Sequence, residues 1–456
     1  MAGRLSATGG GWRRGLKHGI ERAMDFSLVP ASSTTRAWQI VQRVFRDYQG
    51  SLAVRLWDGG TLSFGAGVPD VTLIVREPRL LRELILFRDP LRLAEAYFQG
   101  GLDVEGDLYT ALEMKDRLQT LNLSAFEKAG FLCAALFLGG ASASLNAASA
   151  RRNFLALWPW RVHSKGGSRQ AIAFHYDVSN AFYRLWLDAQ MVYSCAYFET
   201  PDDSLDQAQR NKLEYICRKL RLKPGDRLLD IGCGWGALIC WAAKHYGVQA
   251  HGITLSQNQY DHARKKIGNE NLQDRVTVEL RDYRELQGEA HYDKIVSVGM
   301  FEHVGLRNLP CYFDIARSLL KPGGLFLNHG ITQDREGWGG TVGTRFINRY
   351  VFPDGELDTV GNVQRAMEQT GFEILDVEGL RRHYALTLRH WVGRLERGRA
   401  EALRQVPQSI YRIWRLYMAA CALQFEQGDI GVYQILAANR DGGPARVPLT
   451  RRDLYV

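Results

Sequence analysis

Residues 227–236 read RLLDIGCGWG. A short apolar run through Leu228 and Leu229 reaches Asp230 and Ile231, then breaks into glycines at 232, 234 and 236 before an apolar helical pattern begins. That order is a strand, a tight turn and a helix start. Glycine in such a turn lets a ligand lie against bare backbone, where a Cβ would block it. The helix behind it offers unpaired N–H groups and a partial positive charge. Dinucleotide sites use similar loops, so the spacing alone does not choose a cofactor. Two residues do: Asp230 stands just before the first glycine, and the next strand, 248–253, runs into Thr254. A dinucleotide fold would carry there the acidic residue that holds an adenosine ribose.

Outward from this loop the pattern alternates strand and helix from Gln170 onward, with strands near 227–231, 248–253, 275–279, 293–298 and 324–330. Such alternation predicts a mostly parallel sheet covered by helices on both faces. The acid-x-Gly-x-Gly-x-Gly pattern resembles S-adenosylmethionine-dependent methyltransferases. The expected fold class is therefore α/β, a class I methyltransferase Rossmann-like doubly wound sheet, preceded by a small N-terminal α+β domain. Residues 332–358, rich in Gly, Trp and Arg, are too long for a plain connection and are expected to form a lid or substrate wall.

The rest of the 456-residue chain divides around this domain. Residues 1–36 form a basic leader (Arg4, Arg13, Arg14, Lys17, Arg22) without the apolar core of a secretory signal. Residues 37–118 read as an accessory α+β domain: Trp38, Val41, Val44, Phe45 and Tyr48 at helical spacing, a hairpin around AspGlyGly at 58–60, a strand at 71–75 and a helix at 79–87. Residues 119–169 are a linker, 170–440 the catalytic domain, and 441–456 a tail. Within the linker 129–150 carries no charge, but only 130–141 is strongly apolar, which fits an interfacial or buried helix better than a span. Arg151, Arg152, Arg161, Lys165 and Arg169 then interleave with Trp158 and Trp160, a composition suited to a bilayer interface or to a solvated linker. A second basic run, Arg381, Arg382, Arg389, Arg394, Arg397 and Arg399, reads as a helix face. Seven scattered cysteines without a CxxC pair fit a reducing compartment, and no metal-ligand spacing occurs. The net charge of +9 points to a polyanionic surface, nucleic acid or anionic lipid.

Several further stretches decide between these. They are FHYDVSN (174–180), YSCAYF (193–198), GITLSQNQ (252–259), SVGMFEHVG (297–305), NHGI (328–331), FINRYVFP (346–353), HYALTL (383–388) and YMAACALQF (417–425). Together they resemble, in order over about 170–440, the cyclopropane-fatty-acyl-phospholipid synthase family with its mycolic-acid methyltransferase relatives. Residues 95–107 are similar to the accessory domain that precedes the catalytic one in many of these enzymes.

The reaction that the resemblance implies explains the residue types. An isolated alkene is a poor nucleophile, so the methyl group must come from a strong electrophile, the sulfonium of S-adenosylmethionine. Transfer leaves a cationic carbon beside the new methyl, and a base must remove a proton from that methyl to close the ring. The site must be dry, tolerate a cation and hold a base. In the family that base is a bound bicarbonate. Glu302 and His329 match the residues that hold it, and Tyr384 matches the tyrosine that contacts the ion and faces the cation with its ring. Cys195 and Cys421 match cysteines at the ion, the latter through backbone, and no thiol nucleophile is required. For the cofactor, Gly232 and Gly234, beside Asp230, approach the methionine portion. Thr254 and Gln259 match ribose-side contacts, Asp282 and Tyr283 stand where adenine is clasped, and Tyr193 and Ser194 close over it. AsnHisGly at 328–330 departs from the commoner LeuHisThr, and Ala385 stands where an acid often follows the tyrosine.

The implied partners are unsaturated phospholipid acyl chains and an anionic membrane surface, at the cytoplasmic face of the cell membrane, and a homodimer is compatible with this. A nucleic-acid methyltransferase is disfavoured, because SVGMFEH occupies the place of an (Asp/Asn)-Pro-Pro-aromatic segment and Pro310–Cys311 falls too far downstream. A non-catalytic lipid-binding protein is disfavoured by the complete set of site positions. Methylation of the alkene without ring closure, giving a branched methyl, methylene or vinylic methyl product, stays open.

Overall fold

The structure, a computed structural model, describes residues 32–87, 89–120, 124–138, 179–352, 355–440 and 447–455. It divides into two compact units, one of Met1–Leu93, Gly101–Gly106 and Met114–Ser142, the other of Ala94–Gly100, Asp107–Glu113 and Ala143–Val456.

The first unit holds a four-stranded sheet of order β2-β1-β3-β4. β1 (Leu52–Arg55) and β2 (Thr61–Phe64) form the expected hairpin, whose turn is tied by Gly60 N–H donating to Asp58 Oδ1 at 2.9 Å. β3 (Val71–Val75) pairs parallel with β1, and β4 (Leu102–Gly106) antiparallel with β3. Helix Ser33–Phe45 buries Ala37, Ile40, Val41 and Phe45. The stripe is thus turned from the predicted one, with Trp38 and Val44 at its margin, and the helix stops before Tyr48. The uncharged stretch begins inside helix Ala125–Phe137, and its part from 139 onward lies outside the described residues. Among the described residues no helix is long and apolar enough to cross a membrane.

The second unit is built on a seven-stranded sheet of order β10-β11-β9-β8-β5-β6-β7. β5 (Arg227–Ile231), β6 (Gln249–Thr254), β7 (Val276–Leu280), β8 (Tyr292–Val298) and β9 (Leu320–Gln333) run parallel where the alternation placed them. β10 (Phe372–Gly379) and β11 (Ile430–Asn439), not marked in the sequence, close that edge antiparallel. Side chains alternate across the sheet. Val296, Leu325, Leu327 and Leu436 pack on the face covered by helices Leu205–Lys219 and Ala237–Tyr246. Ile295, Phe326, Ile435 and Ala437 pack on the face covered by Leu309–Leu319 and Val360–Gln369. Each fully buried Leu, Ile or Phe contributes about 1.5–3 kcal/mol, so the two-sided burial holds the sheet between its helices.

Two placements matter for the site. The parallel pairing of β8 with β9 ends at Val298 and His329, and β9 then continues to Gln333 on β11 alone. His329 therefore lies inside a strand, not at its end as expected. It still marks the carboxyl edge of the parallel sheet, where open α/β folds place ligands. The 332–358 excursion contains helix Val342–Tyr350 and is closed at its base by Gln333 N–H donating to Asp358 C=O at 3.0 Å. Phe98 packs on Phe346 and Tyr350 of that helix, and Tyr350 OH donates to Glu95 at 2.8 Å.

The antiparallel edge is tied to helix Leu205–Lys219 by Lys219, which is fully buried, paired with Glu378 and 3.9 Å from Asp376. Removing one partner of a buried pair strands the other charge, typically at about 3–5 kcal/mol. Lys219→Met is expected to destabilise by that amount, and urea denaturation of the purified variant should show the lowered midpoint. An unchanged midpoint would mean that this edge does not depend on the pair.

Candidate active site

The loop after β5 folds as its glycines require. Gly232, Gly234 and Gly236 all have positive φ (87°, 55° and 84°), and the N–H groups of Gly232 and Cys233 both donate to Ile253 C=O, at 3.0 and 2.9 Å. This clips the loop to β6 and starts helix Ala237–Tyr246. A cavity of about 130 Å³ opens over it. Its walls include Tyr193, Ser194, Asp230, Gly232, Gly234, Thr254, Gln259 and Tyr283, so the structure gathers the expected cofactor residues in one place. Asp282 is the exception. It is buried but does not line the cavity, and its carboxylate is taken by Arg284, whose Nε donates at 2.9 Å. At the position expected on the ribose side, Thr254 Oγ1 donates to Gln259 Oε1 at 2.8 Å.

Glu302 sits in a single 3-10 turn, Phe301–His303, just beyond β8. Its Oε1 accepts from Ile331 N–H at 2.7 Å, which draws the carboxyl against the 329–331 stretch of β9. The departure at Gly330 has its reason here: a Cβ would stand 1.9 Å from the Phe301 ring and 3.0 Å from Glu302 Oε1. Glu302 is buried, its Oε2 has no hydrogen-bond partner, and burial pushes its pKa up to about 7. His329 is buried as well, and burial, with the charges of Lys212 and Lys219, lowers it to about 3. It is a neutral imidazole at neutral pH.

A second group comes from the irregular segment 193–198 and from two helices, Arg381–Arg397 and Gln408–Gln427. Cys195 is buried, its thiol bonds Ala196 C=O at 3.3 Å, and burial pushes its pKa far up. Cys421 is pushed up to about 12 for the same reason. Neither is a thiolate. Tyr384, on helix Arg381–Arg397, packs its ring 4.7 Å from Phe425 and 6.0 Å from Trp391. Tyr417 stands among Tyr193, Cys421 and Tyr384, which bear on its phenol. Ala196 N–H donates to Thr387 Oγ1 and Phe198 N–H to His383 Nδ1, both at 3.0 Å, so the YSCAYF segment is fastened to the helix that carries Tyr384.

Two residues missed in the sequence join these groups. Lys212 lines the cavity, is 2% exposed, and donates to Ser194 Oγ at 2.8 Å. It feels the charges of Asp188, Cys195 and Asp230. A signal was available: on helix Leu205–Lys219 the apolar stripe Leu205, Ala208, Ile216 includes Lys212 and Lys219 at helical spacing. Gln434, fully buried on β11, lies with its amide nitrogen 3.2 Å from His329 Nδ1. This contact ties the His329 ring to β11. No sequence signal pointed to Gln434, because β11 itself was not recognised.

The basic clusters fare differently. Arg151, Arg152, Trp158, Trp160, Arg161, Lys165 and Arg169 lie outside the described residues. In the other run Arg381 donates to Glu426 C=O at 2.9 Å, Arg389 pairs with Glu426 and covers the Tyr109 ring at 4.1 Å, and Arg394 pairs with Asp206. These three hold helices together.

A family model described as mycolic acid cyclopropane synthetase matches residues 163–435, and one for a domain of unknown function (DUF7884) matches residues 39–124. The chain is 43% identical to a probable fatty acid methyltransferase of Pseudomonas putida, over 89% of this chain and 96% of that one. It is 39% identical to cyclopropane-fatty-acyl-phospholipid synthase of Escherichia coli strain K12, over 58% of this chain and 66% of the other. Among solved structures, mycolic acid cyclopropane synthase CmaA1 complexed with SAH and CTAB aligns with a TM-score of 0.56 and 34% identity, covering 59% of this chain and 98% of that one. Cyclopropane synthase MmaA2 from Mycobacterium tuberculosis aligns with the same TM-score, identity and coverage. With more than half of its length matched, and with the glycine loop and cavity in place, the chain belongs to the mycolic acid cyclopropane synthetase family of S-adenosylmethionine-dependent methyltransferases.

Proposed function

We propose that the protein transfers a methylene group from S-adenosylmethionine to the cis double bond of an unsaturated acyl chain in a membrane phospholipid, forming a cyclopropane ring. The observation that carries this reading is the buried Glu302 carboxyl, one oxygen held by Ile331 and the other without a partner, beside a neutral His329 at the sheet edge. A buried polar atom without a partner calls for a ligand. A small oxyacid anion that carries one O–H fits here: its O–H would donate to Glu302 Oε2, and the neutral His329, with Cys195 and Tyr384 as the family resemblance implies, would complete its surroundings. Bicarbonate held by these residues would supply the base for the proton of the transferred methyl. The chain's own part is to keep the place dry, to aim His329, and to surround a transient cation with the rings of Tyr384, Phe425 and Trp391. The substrate is reached at an anionic bilayer surface, at the cytoplasmic face of the membrane, through the basic and aromatic residues 151–169.

The relative that aligns over 89% of this chain is a fatty acid methyltransferase, which favours a second reading, methylation without ring closure. Incubation with S-adenosylmethionine and vesicles of unsaturated phospholipid tests the first. The acyl chains should gain one CH₂, resist hydrogenation as an alkene would not, and show no methyl-branch fragmentation. A methyl branch or a retained double bond would establish the second reading.

Glu302→Gln, His329→Ala and Tyr384→Phe should each lower turnover on the order of 10²-fold or more, the usual cost of removing a preorganised polar group. S-adenosylhomocysteine affinity by calorimetry should stay within a few-fold of wild type. A collapse of that affinity with turnover per bound enzyme intact would overturn the assignment.

The carboxyl shifts also set a pH dependence for the ligand-free protein. Asp230 and Glu302 are both raised to about 7 by burial. A folded value above the unfolded one gives stability that is full below the unfolded pKa, about 4, and lost as pH rises through 7. Thermal melts should therefore show the wild type losing stability from pH 6 to pH 8. Glu302→Gln, which keeps an oxygen for Ile331 N–H, should lose less and exceed the wild type at pH 8.

A further inference from the structure

The amino-acid end of S-adenosylmethionine carries a carboxylate and an ammonium on one carbon. Drawing both charges from water into a closed cavity costs several kcal/mol each unless fixed countercharges meet them. The cavity over the glycine loop is lined by one buried cation and one buried anion, Lys212 and Asp230, 2% and 3% exposed. Lys212 comes from helix Leu205–Lys219 and Asp230 from the end of β5, and each feels the other's charge. An ammonium has three donors, and Ser194 Oγ takes one of Lys212's at 2.8 Å. Asp230 Oδ1 has no hydrogen-bond partner.

We propose that Lys212 binds the carboxylate of the cofactor's amino-acid end, across from the Asp230 position that the glycine-loop pattern already gives to the cofactor. This rests on the reading of the cavity as the S-adenosylmethionine site. The other groups facing Lys212 leave it without a full counterion. Asp188 spends its oxygens on the N–H groups of Val192 and Gln190, at 2.7 and 2.8 Å, and burial raises its pKa. The Cys195 thiol is protonated, and His329 is neutral. Burial lowers Lys212 to about 8 and raises Asp230 to about 7, the direction expected of charges whose partners arrive with the ligand. Ser194, next to Tyr193 in the segment that covers the cavity, holds the ammonium in place.

The test is calorimetric titration of the full chain with three ligands: S-adenosylhomocysteine, its decarboxylated analogue, and methylthioadenosine, which has neither charge. Wild type should prefer S-adenosylhomocysteine over the decarboxylated analogue by about 10-fold or more, as for a hydrogen bond to a charged group. Lys212→Met should bind these two alike, keep wild-type affinity for methylthioadenosine, and so report a folded pocket. Lys212→Arg should restore most of the preference. A preference that survives in Lys212→Met, or one absent from the wild type, overturns the role of Lys212 while leaving the cofactor site standing. Should Lys212→Met lose methylthioadenosine as well, the ratio of the two charged ligands in Lys212→Arg against Lys212→Gln decides, and equal ratios overturn the proposal. Wild type that binds none of the three would overturn the cofactor reading itself.

Discussion

The hydrogen bond from Ile331 N–H to Glu302 Oε1, 2.7 Å long, joins the turn after β8 to the strand beside it. The rest of the site depends on that join. It requires residue 330 to lack a side chain, because the Phe301 ring fills the space of a Cβ. It requires β9 to run past its parallel neighbour, which only the antiparallel β11 allows, and β11 brings Gln434 to His329. It also leaves Glu302 with one oxygen committed and one available, in a place sealed from water.

Burial then governs the chemistry through one rule, that a low-dielectric surrounding disfavours whichever form is charged. Glu302 and Asp230 rise, Lys212 and His329 fall, and the thiols of Cys195 and Cys421 stay protonated. The outcome is a site with few net charges of its own, suited to a sulfonium, a transient carbocation and a base. A water-filled site would quench the cation and solvate the base. The cost falls on the stability of the ligand-free fold, which keeps buried ionisable groups for function and not for packing. Lys219 shows the contrast: it is as deeply buried as Lys212, yet its charge is matched by Glu378 and Asp376 and serves to hold an edge strand.

Much of this was legible in the chain. The glycine loop, the five parallel strands and the residues around the cavity follow from local patterns, since strand, turn and helix start each leave a signature within about ten residues. Glu302 and His329 were singled out through motifs that keep their neighbours, and the structure sets both at the carboxyl edge of the parallel sheet. What could not be read was the part made by distant pairing. β10 and β11 join the sheet from opposite ends of a helical excursion, and nothing local says that Ile430–Asn439 lies beside β9. Gln434 was hidden with them. Lys212 was legible in principle, as a charge on an apolar stripe, but a helix surface offers many lysines and only tertiary packing shows which one is sealed in. Asp282 stands after the third strand as expected, and what the sequence did not show is that Arg284, two residues on, engages its carboxylate. Among the basic clusters, Arg381, Arg389 and Arg394 read as a surface because their partners Glu426 and Asp206 lie far along the chain.

The central claim is that a base held beside Glu302 and His329 takes a proton from the very methyl group that has just been transferred. Mass spectrometry of acyl chains after reaction with S-adenosylmethionine deuterated on its methyl group addresses this directly. Two deuterium atoms retained in each modified chain are predicted, one having left with the base as the ring closed. Three retained would mean that the proton came from the chain instead, and would contradict the account.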